Sequence, residues 1–308
     1  MKSGSRLERI LESGAFAVTA ELGPPKGPDV SVVEKKRGYL EGVCDAINVT
    51  DNQTAIVRLS SGATCALLCQ AGLEPVMQMT CRDRNRLAIQ SDIFGAVAQG
   101  VRNLLCLTGD HQTFGNHPTA KNVFDIDSIQ LVQIVKRMRD DKVTAGGEEI
   151  EGELPIFIGA AANPFGDPFE MRVIRLAKKV AAGADFIQTQ CIFDIPRFKE
   201  WMKRVVDQGL HEKVHILAGV MPLRSVGAAR YINDSVPGIS VPEPIIERMR
   251  KAGRGEEVRA EGRKICAEMI QELRQIEGVH GVHIMAVEWE IAVKSIVEMA
   301  GLLPRPTV

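Results

Sequence analysis

Eight short apolar strands alternate with helix-length segments along this chain, and that alternation restricts the fold more than any other feature. The strands are read at residues 16–22, 45–50, 75–81, 103–110, 155–161, 185–190, 214–220 and 282–287. Several close on a polar residue: Glu21, Thr50, Asp110 and Gln190 all fall at strand C-termini. Eight strands separated by helices predict an α/β fold, a (β/α)8 TIM barrel, whose chemistry sits at the C-terminal strand ends.

The helices are legible by period. Residues 84–100 carry Leu87, Ile89, Ile93 and Val97 and stop at Gly100. Asp127-Ser128 opens a helix through Leu131, Val135 and Met138, and residues 168–183 and 196–209 each close on glycine. Residues 142–153 are polar and glycine-bearing and predict a surface loop before the fifth strand. Residues 241–276 hold two further helical patterns, divided near Gly253-Arg254-Gly255, which predict extra helices before the eighth strand. With no linker or composition shift, the 308 residues read as one (β/α)8 domain over 1–308.

Composition narrows the partners. A net charge of -1 gives no reason to expect nucleic acid or an acidic membrane surface. No apolar run reaches the roughly 18 residues of a membrane span, and the start Met1-Lys2-Ser3-Gly4 leads into an amphipathic segment, so a cytoplasmic location is expected. Seven cysteines without a CxxC pair read as reduced, mostly buried thiols, although Cys65 and Cys69 could share one helix face with a metal. The six histidines show no metal-ligand spacing, and no metal is expected.

Glu21 is the sharpest chemical candidate. It ends an apolar strand just before Gly23-Pro24-Pro25, and a carboxyl in a partly dry barrel mouth suits a general acid; an ordinary rim glutamate is the alternative. Gly109-Asp110 enters a loop rich in Gly, Asn, His and Pro, where glycine admits close backbone approach to a ligand. Asp110 would project into the mouth or merely cap a turn. Thr50 could hydrogen-bond a ligand or serve structure. Gln190 offers an amide to a heterocycle edge or to nearby backbone. Lys178 and Lys179 form a solvated face unless a phosphate comes within reach.

The stretches Ala20-Glu21-Leu22-Gly23-Pro24-Pro25, Asn48-Val49-Thr50, Met79-Thr80-Cys81, Leu107-Thr108-Gly109-Asp110, Ala160-Ala161-Ala162-Asn163-Pro164, 178–184 and 188–194, in this order, resemble the methylenetetrahydrofolate reductase family over nearly the whole chain. The resemblance implies a flavin-dependent barrel that reduces 5,10-methylenetetrahydrofolate to 5-methyltetrahydrofolate. It implies FAD, with FMN as the alternative, and NADH, NADPH or a redox partner protein as electron donor. On the same footing Glu21 matches the general acid, and Asp110 the aspartate near the flavin pyrimidine edge and the pterin. Gln190 matches a substrate contact, and Thr50, Gly109 and Lys179 match flavin contacts. Lys178 stands where arginine is frequent and keeps the charge without the planar fork. Gln78 stands for a frequent histidine, Thr108 for arginine, Asn163 for tyrosine and Trp289 for a substrate-side arginine; Gln78, Thr108 and Asn163 remain cofactor-side candidates. Without the long C-terminal region of the eukaryotic members, the chain resembles a bacterial-type catalytic subunit, an oligomer or part of a complex. A folate-binding barrel in a methyl-transfer assembly and a flavin electron-relay subunit are the competing readings.

Overall fold

The structure, a computed structural model, describes residues 1–236 and 238–308. Eight strands, β1 (Ala17–Leu22), β2 (Ala46–Val49), β3 (Pro75–Thr80), β4 (Asn103–Leu107), β5 (Phe157–Ala162), β6 (Phe186–Cys191), β7 (His215–Val220) and β8 (Gly281–Ile284), close into one barrel in sequence order. Every pairing is parallel, including the closing pair β1–β8. The expected (β/α)8 barrel is therefore observed.

The helices are α1 (Arg6–Glu12), α2 (Val30–Leu40), α3 (Ser61–Gln70), α4 (Arg86–Ala98), α5 (Ser128–Asp140), α6 (Glu170–Ala182), α7 (Ile195–Asp207), α8 (Val226–Ser235), α9 (Glu243–Lys251), α10 (Glu256–Leu273) and α11 (Val293–Met299). Their ends follow local chemistry. The Asp127 carboxylate accepts from the Ile129 and Gln130 amides while Gln130 answers the Asp127 amide, which opens α5 with a capping box. Asp194 caps α7, with Pro196 in its first turn. Gly183 ends α6 at a φ of 112°, a left-handed position that favours glycine. Three helices lie between β7 and β8: α8, which the sequence reading did not single out, and then α9 and α10, the two expected over 241–276. The third lies so close to the loop after β7 that a Cβ at Gly262 would sit 1.8 Å from the Leu223 carbonyl oxygen.

Two strands, β4 and β8, end three residues short of their sequence limits. β4 stops at Leu107, because Gly109 takes a φ of 92° and turns the chain, so Asp110 lies in the following loop. β8 stops at Ile284; one more ladder bond forms from the Met285 amide to Val220, then the Trp289 amide bonds back to Ala286 and closes a turn. The 142–153 segment is the expected loop, pinched by a single antiparallel bridge between Val143 and Glu149.

Strand alternation divides the core in two. One face of each strand packs outward on the helices in a large apolar cluster that includes Val18, Ala20, Leu22, Met77, Met79, Leu104 and Ile158. The other face fills the barrel interior. At its N-terminal end Ala17, Ala46, Val76, Leu105, Phe157, Phe186 and Leu217 pack against Leu7, Ile10 and Leu11, so α1 plugs that opening. The Arg6 and Leu7 amides donate to the Glu74 carboxylate, satisfying donors that a helix start leaves free. Above this apolar floor the inward residues turn polar.

Candidate active site at the strand C-termini

The polar interior layer comes from strand parity. Thr19, Asn48, Gln188 and His283 are all buried and project inward two residues above the floor. The Asn48 and Gln188 amides pair in both directions, at 2.7 and 3.1 Å. Gln188 also donates to Thr19 Oγ1 at 3.1 Å, and Thr19 Oγ1 lies 2.9 Å from His283 Nδ1. Every buried group here is partnered, as burial of polar atoms requires.

Glu21 occupies the next inward position on β1 and is only 7% exposed. Its Oε1 accepts from Gln78 Nε2 at 3.4 Å and lies 3.6 Å from His283 Nε2. It faces a cavity of about 290 Å³ at the C-terminal mouth, lined also by Asp110, Gln190, Arg82 and Met285. Thus Glu21 is no rim glutamate; its carboxylate is held inside the mouth.

A second cavity of about 240 Å³ adjoins the first, and Leu107, Thr108, Ala161 and Gln190 line both. Together they fall in the roughly 300–1,000 Å³ range of small-molecule sites. Its far side carries Arg172, Arg175 and Lys179. None of the three is within ion-pair reach of a carboxylate among the described residues. Arg172 and Lys179 donate to the backbone carbonyls of Gly166, Asp167 and Ala161. Burial pushes the Lys179 ammonium down to about 8, and the Arg175 guanidinium adds to the effect. The mouth is thus acidic at the Glu21 end and strongly cationic at the other.

The remaining sequence candidates sort by position. Asp110 is exposed in the Glu21 cavity, and it caps nothing: His111 caps the short helix Gln112–Phe114. Gln190 is exposed and bridges the two cavities, with no backbone partner for its amide. Thr108 bonds Ser128 at 3.1 Å between the cavities. Gly109 packs against the end of β3, where a Cβ would approach Thr80 to 3.0 Å. Gln78 stands beside Glu21, and Asn163 lines the cationic cavity while its side-chain oxygen accepts from the Phe165 and Gly166 amides. Thr50 is buried and lines neither cavity; its hydroxyl has no partner among the described residues. Lys178 is exposed and also lines neither. Trp289 lies half-buried under the Arg263 guanidinium, 5.7 Å from its ring centre, outside both cavities.

Several residues escaped the sequence reading. On α6, Arg172, Arg175 and Lys179 follow one another at steps of three and four residues, a helical spacing that could have flagged the two arginines. His283, Thr19, Asn48 and Gln188 share the inward parity of Glu21, a signal available once β1 is taken as a strand. The Cys65 and Cys69 thiols sit on α3 against the core, both pushed up by burial. No helix among the described residues is long and apolar enough to cross a membrane.

A sequence-family model described as methylenetetrahydrofolate reductase matches residues 6–301. A probable methylenetetrahydrofolate reductase (NADPH) of Caenorhabditis elegans is 21% identical over 310 residues, 96% of this chain and 44% of its own length. A 5,10-methylenetetrahydrofolate reductase of Salmonella typhimurium is 24% identical over 70% of this chain and 66% of its own. The chain thus spans less than half of the first relative and about two thirds of the second. Among solved structures, an uncharacterized Clostridium thermocellum protein that binds two copies of 5-methyl-5,6,7,8-tetrahydrofolic acid shares the fold. Its TM-score is 0.62 at 12% identity, covering 97% of this chain and 99% of that one.

Proposed function

The chain belongs to the methylenetetrahydrofolate reductase family, and on that footing we propose that it reduces 5,10-methylenetetrahydrofolate to 5-methyltetrahydrofolate with a flavin held in the barrel mouth. The observation that carries this reading is one mouth with a buried carboxylate at one end and three unpaired cations at the other. The cationic end fits the anionic phosphates of FAD, the preferred flavin, with FMN as the smaller alternative. Lys179, Arg172 and Arg175 would hold those phosphates, while Thr108, Gly109 and Asp110 would border the ring. When bound, a flavin would supply two-electron redox chemistry between a donor and the folate.

The chain's own residues do the rest. Glu21 holds a proton inside the mouth and gives it to the folate nitrogen as the five-membered ring opens, leaving an iminium ready for hydride. Gln190, free of backbone partners, donates to and accepts from the pterin edge. Asp110 places a carboxylate where flavin and pterin meet. That a Clostridium thermocellum protein of the same fold binds 5-methyl-5,6,7,8-tetrahydrofolic acid supports a folate as the ligand.

The test uses purified chain. We expect a yellow protein whose released flavin is FAD, whose colour is bleached anaerobically by NADH, NADPH or a redox partner protein, and whose colour returns on adding methylenetetrahydrofolate. Colourless protein that binds folate without reducing it would overturn the reading and favour a folate-binding barrel in a methyl-transfer assembly. In Glu21→Gln the folate step should fall at least about 10²-fold relative to flavin reduction, the lower end of general-acid contributions. Equal losses in both steps would give Glu21 a shaping role only.

A further inference from the structure

The buried polar layer beneath Glu21 ends at a single carboxylate oxygen. We propose that His283, set by Thr19, Gln188 and Asn48 behind it, is a positioning residue that decides which oxygen of Glu21 carries the transferable proton. The proposal rests on the reading of Glu21 as a general acid and adds to it the device that aims the proton.

Donors and acceptors pair off in order along this row of side chains. Asn48 and Gln188 satisfy each other's amides, and Gln188 has one remaining N–H, which goes to Thr19 Oγ1 at 3.1 Å. Thr19 therefore accepts from Gln188 and has one proton of its own to give. Its two nearest acceptors are His283 Nδ1 at 2.9 Å and the Val282 carbonyl at 3.4 Å. Placing the proton on the shorter contact makes Nδ1 the bare nitrogen of a neutral ring; the opposite tautomer, with Nδ1–H donating to the second Thr19 lone pair and the hydroxyl turned to Val282, is the outcome that the test below separates from it. The ring proton is left on Nε2, the atom that faces Glu21.

His283 Nε2 and Gln78 Nε2 both approach the same oxygen, Oε1, at 3.6 and 3.4 Å. Such contacts are long for hydrogen bonds and are of the kind that shorten when substrate closes a site. Two donors facing Oε1 leave no room there for a carboxylic proton, because N–H would meet O–H. The proton of the neutral acid therefore resides on Oε2. That oxygen has no hydrogen-bond partner among the described residues and is not sealed from solvent, so it is the one open to the mouth. No proton passes along the chain in this scheme. The network holds one tautomer, and the tautomer holds the acid in its productive orientation.

The direct test is nitrogen-15 NMR of the flavin-loaded protein labelled in histidine, with the His283 resonances identified by their loss in His283→Gln. We expect an unprotonated Nδ1 and a protonated Nε2. A proton on Nδ1, or on both nitrogens at neutral pH, would overturn the proposal, and this readout does not depend on any reductase activity. Kinetics give the second arm. In Thr19→Val the single tautomer should give way to a mixture, and the folate step should drop about 10-fold relative to flavin reduction, the worth of one hydrogen bond. His283→Leu should lose more, and His283→Gln, which keeps a donor at the Nε2 position, should recover most of the difference from Leu. Equal folate steps in the Leu and Gln variants would also overturn it. If the tautomer is as expected but wild-type protein reduces no folate, the proposed function fails while the assigned geometry stands.

Discussion

Lys179 shows what burial does to a single charge in this molecule. Its ammonium is drawn off solvent against the Ala161 carbonyl, with Arg175 nearby, and is lowered to about 8 from the usual lysine value. The sign follows directly: below about 8 the group is cationic and attracts an anion, and above it the attraction fades. A bound phosphate favours the charged form and moves the midpoint upward. We expect affinity for flavin or for inorganic pyrophosphate to weaken by about 10- to 100-fold as pH rises through and beyond about 8, the value of one charge-assisted hydrogen bond. Calorimetric titration across that range should show the effect in wild type and not in Lys179→Met; an identical pH dependence in both would remove Lys179 from the anion site. Lys178, its neighbour in sequence, points to solvent, and the difference is set wholly by which face of α6 each residue occupies.

At the scale of elements, α1 illustrates a helix whose stability is tertiary. Seven residues are too few to persist alone in water. Ser5 caps it, and the Glu8 carboxylate collects the Lys2, Ser3 and Gly4 amides; burial by itself would raise Glu8, but these donors hold it below the usual carboxylate range. Its apolar face closes the barrel floor. Ile10→Ala should therefore cost about 2–5 kcal/mol in urea unfolding while leaving flavin affinity unchanged. A loss well under 1 kcal/mol would mean that the floor is sealed without it. This role was not legible in the sequence, where residues 6–12 show only an amphipathic stretch and nothing names the surface it covers. The strands were legible because their apolar runs are bounded by turns, and so were the polar residues at their ends. Partners across the barrel, such as His283 for Glu21, are fixed by closure between β1 and β8, which sequence spacing does not display.

Over the whole molecule, two aspartates tie distant parts of the chain to the barrel floor. Asp45, before β2, accepts from the Val18 amide at 2.8 Å and pairs with Arg305 at 2.6 Å and Arg6 at 3.3 Å. Asp185, before β6, accepts from the Ile158 amide at 2.8 Å and pairs with Arg139 at 2.6 Å and with Lys2. The two sites, half a barrel apart, repeat one device: a buried carboxylate that locks the preceding strand and is answered by cations. Removing one partner of a buried pair strands the other, so Asp185→Ala should lower stability by about 3–5 kcal/mol in denaturant titration. A change below 1 kcal/mol would show that Arg139 finds water instead. The same contacts fix where the chain's ends emerge. Lys2 and Arg6 on one side, Arg305 and the Pro306 carbonyl on the other, all gather at the floor, with Arg6 bonded to that carbonyl at 2.6 Å. Anything tethered to either end, whether an affinity handle, a solid support or a fused electron carrier, would hang from the side opposite the mouth. A carrier meant to feed the site would therefore need a leash long enough to round the barrel wall.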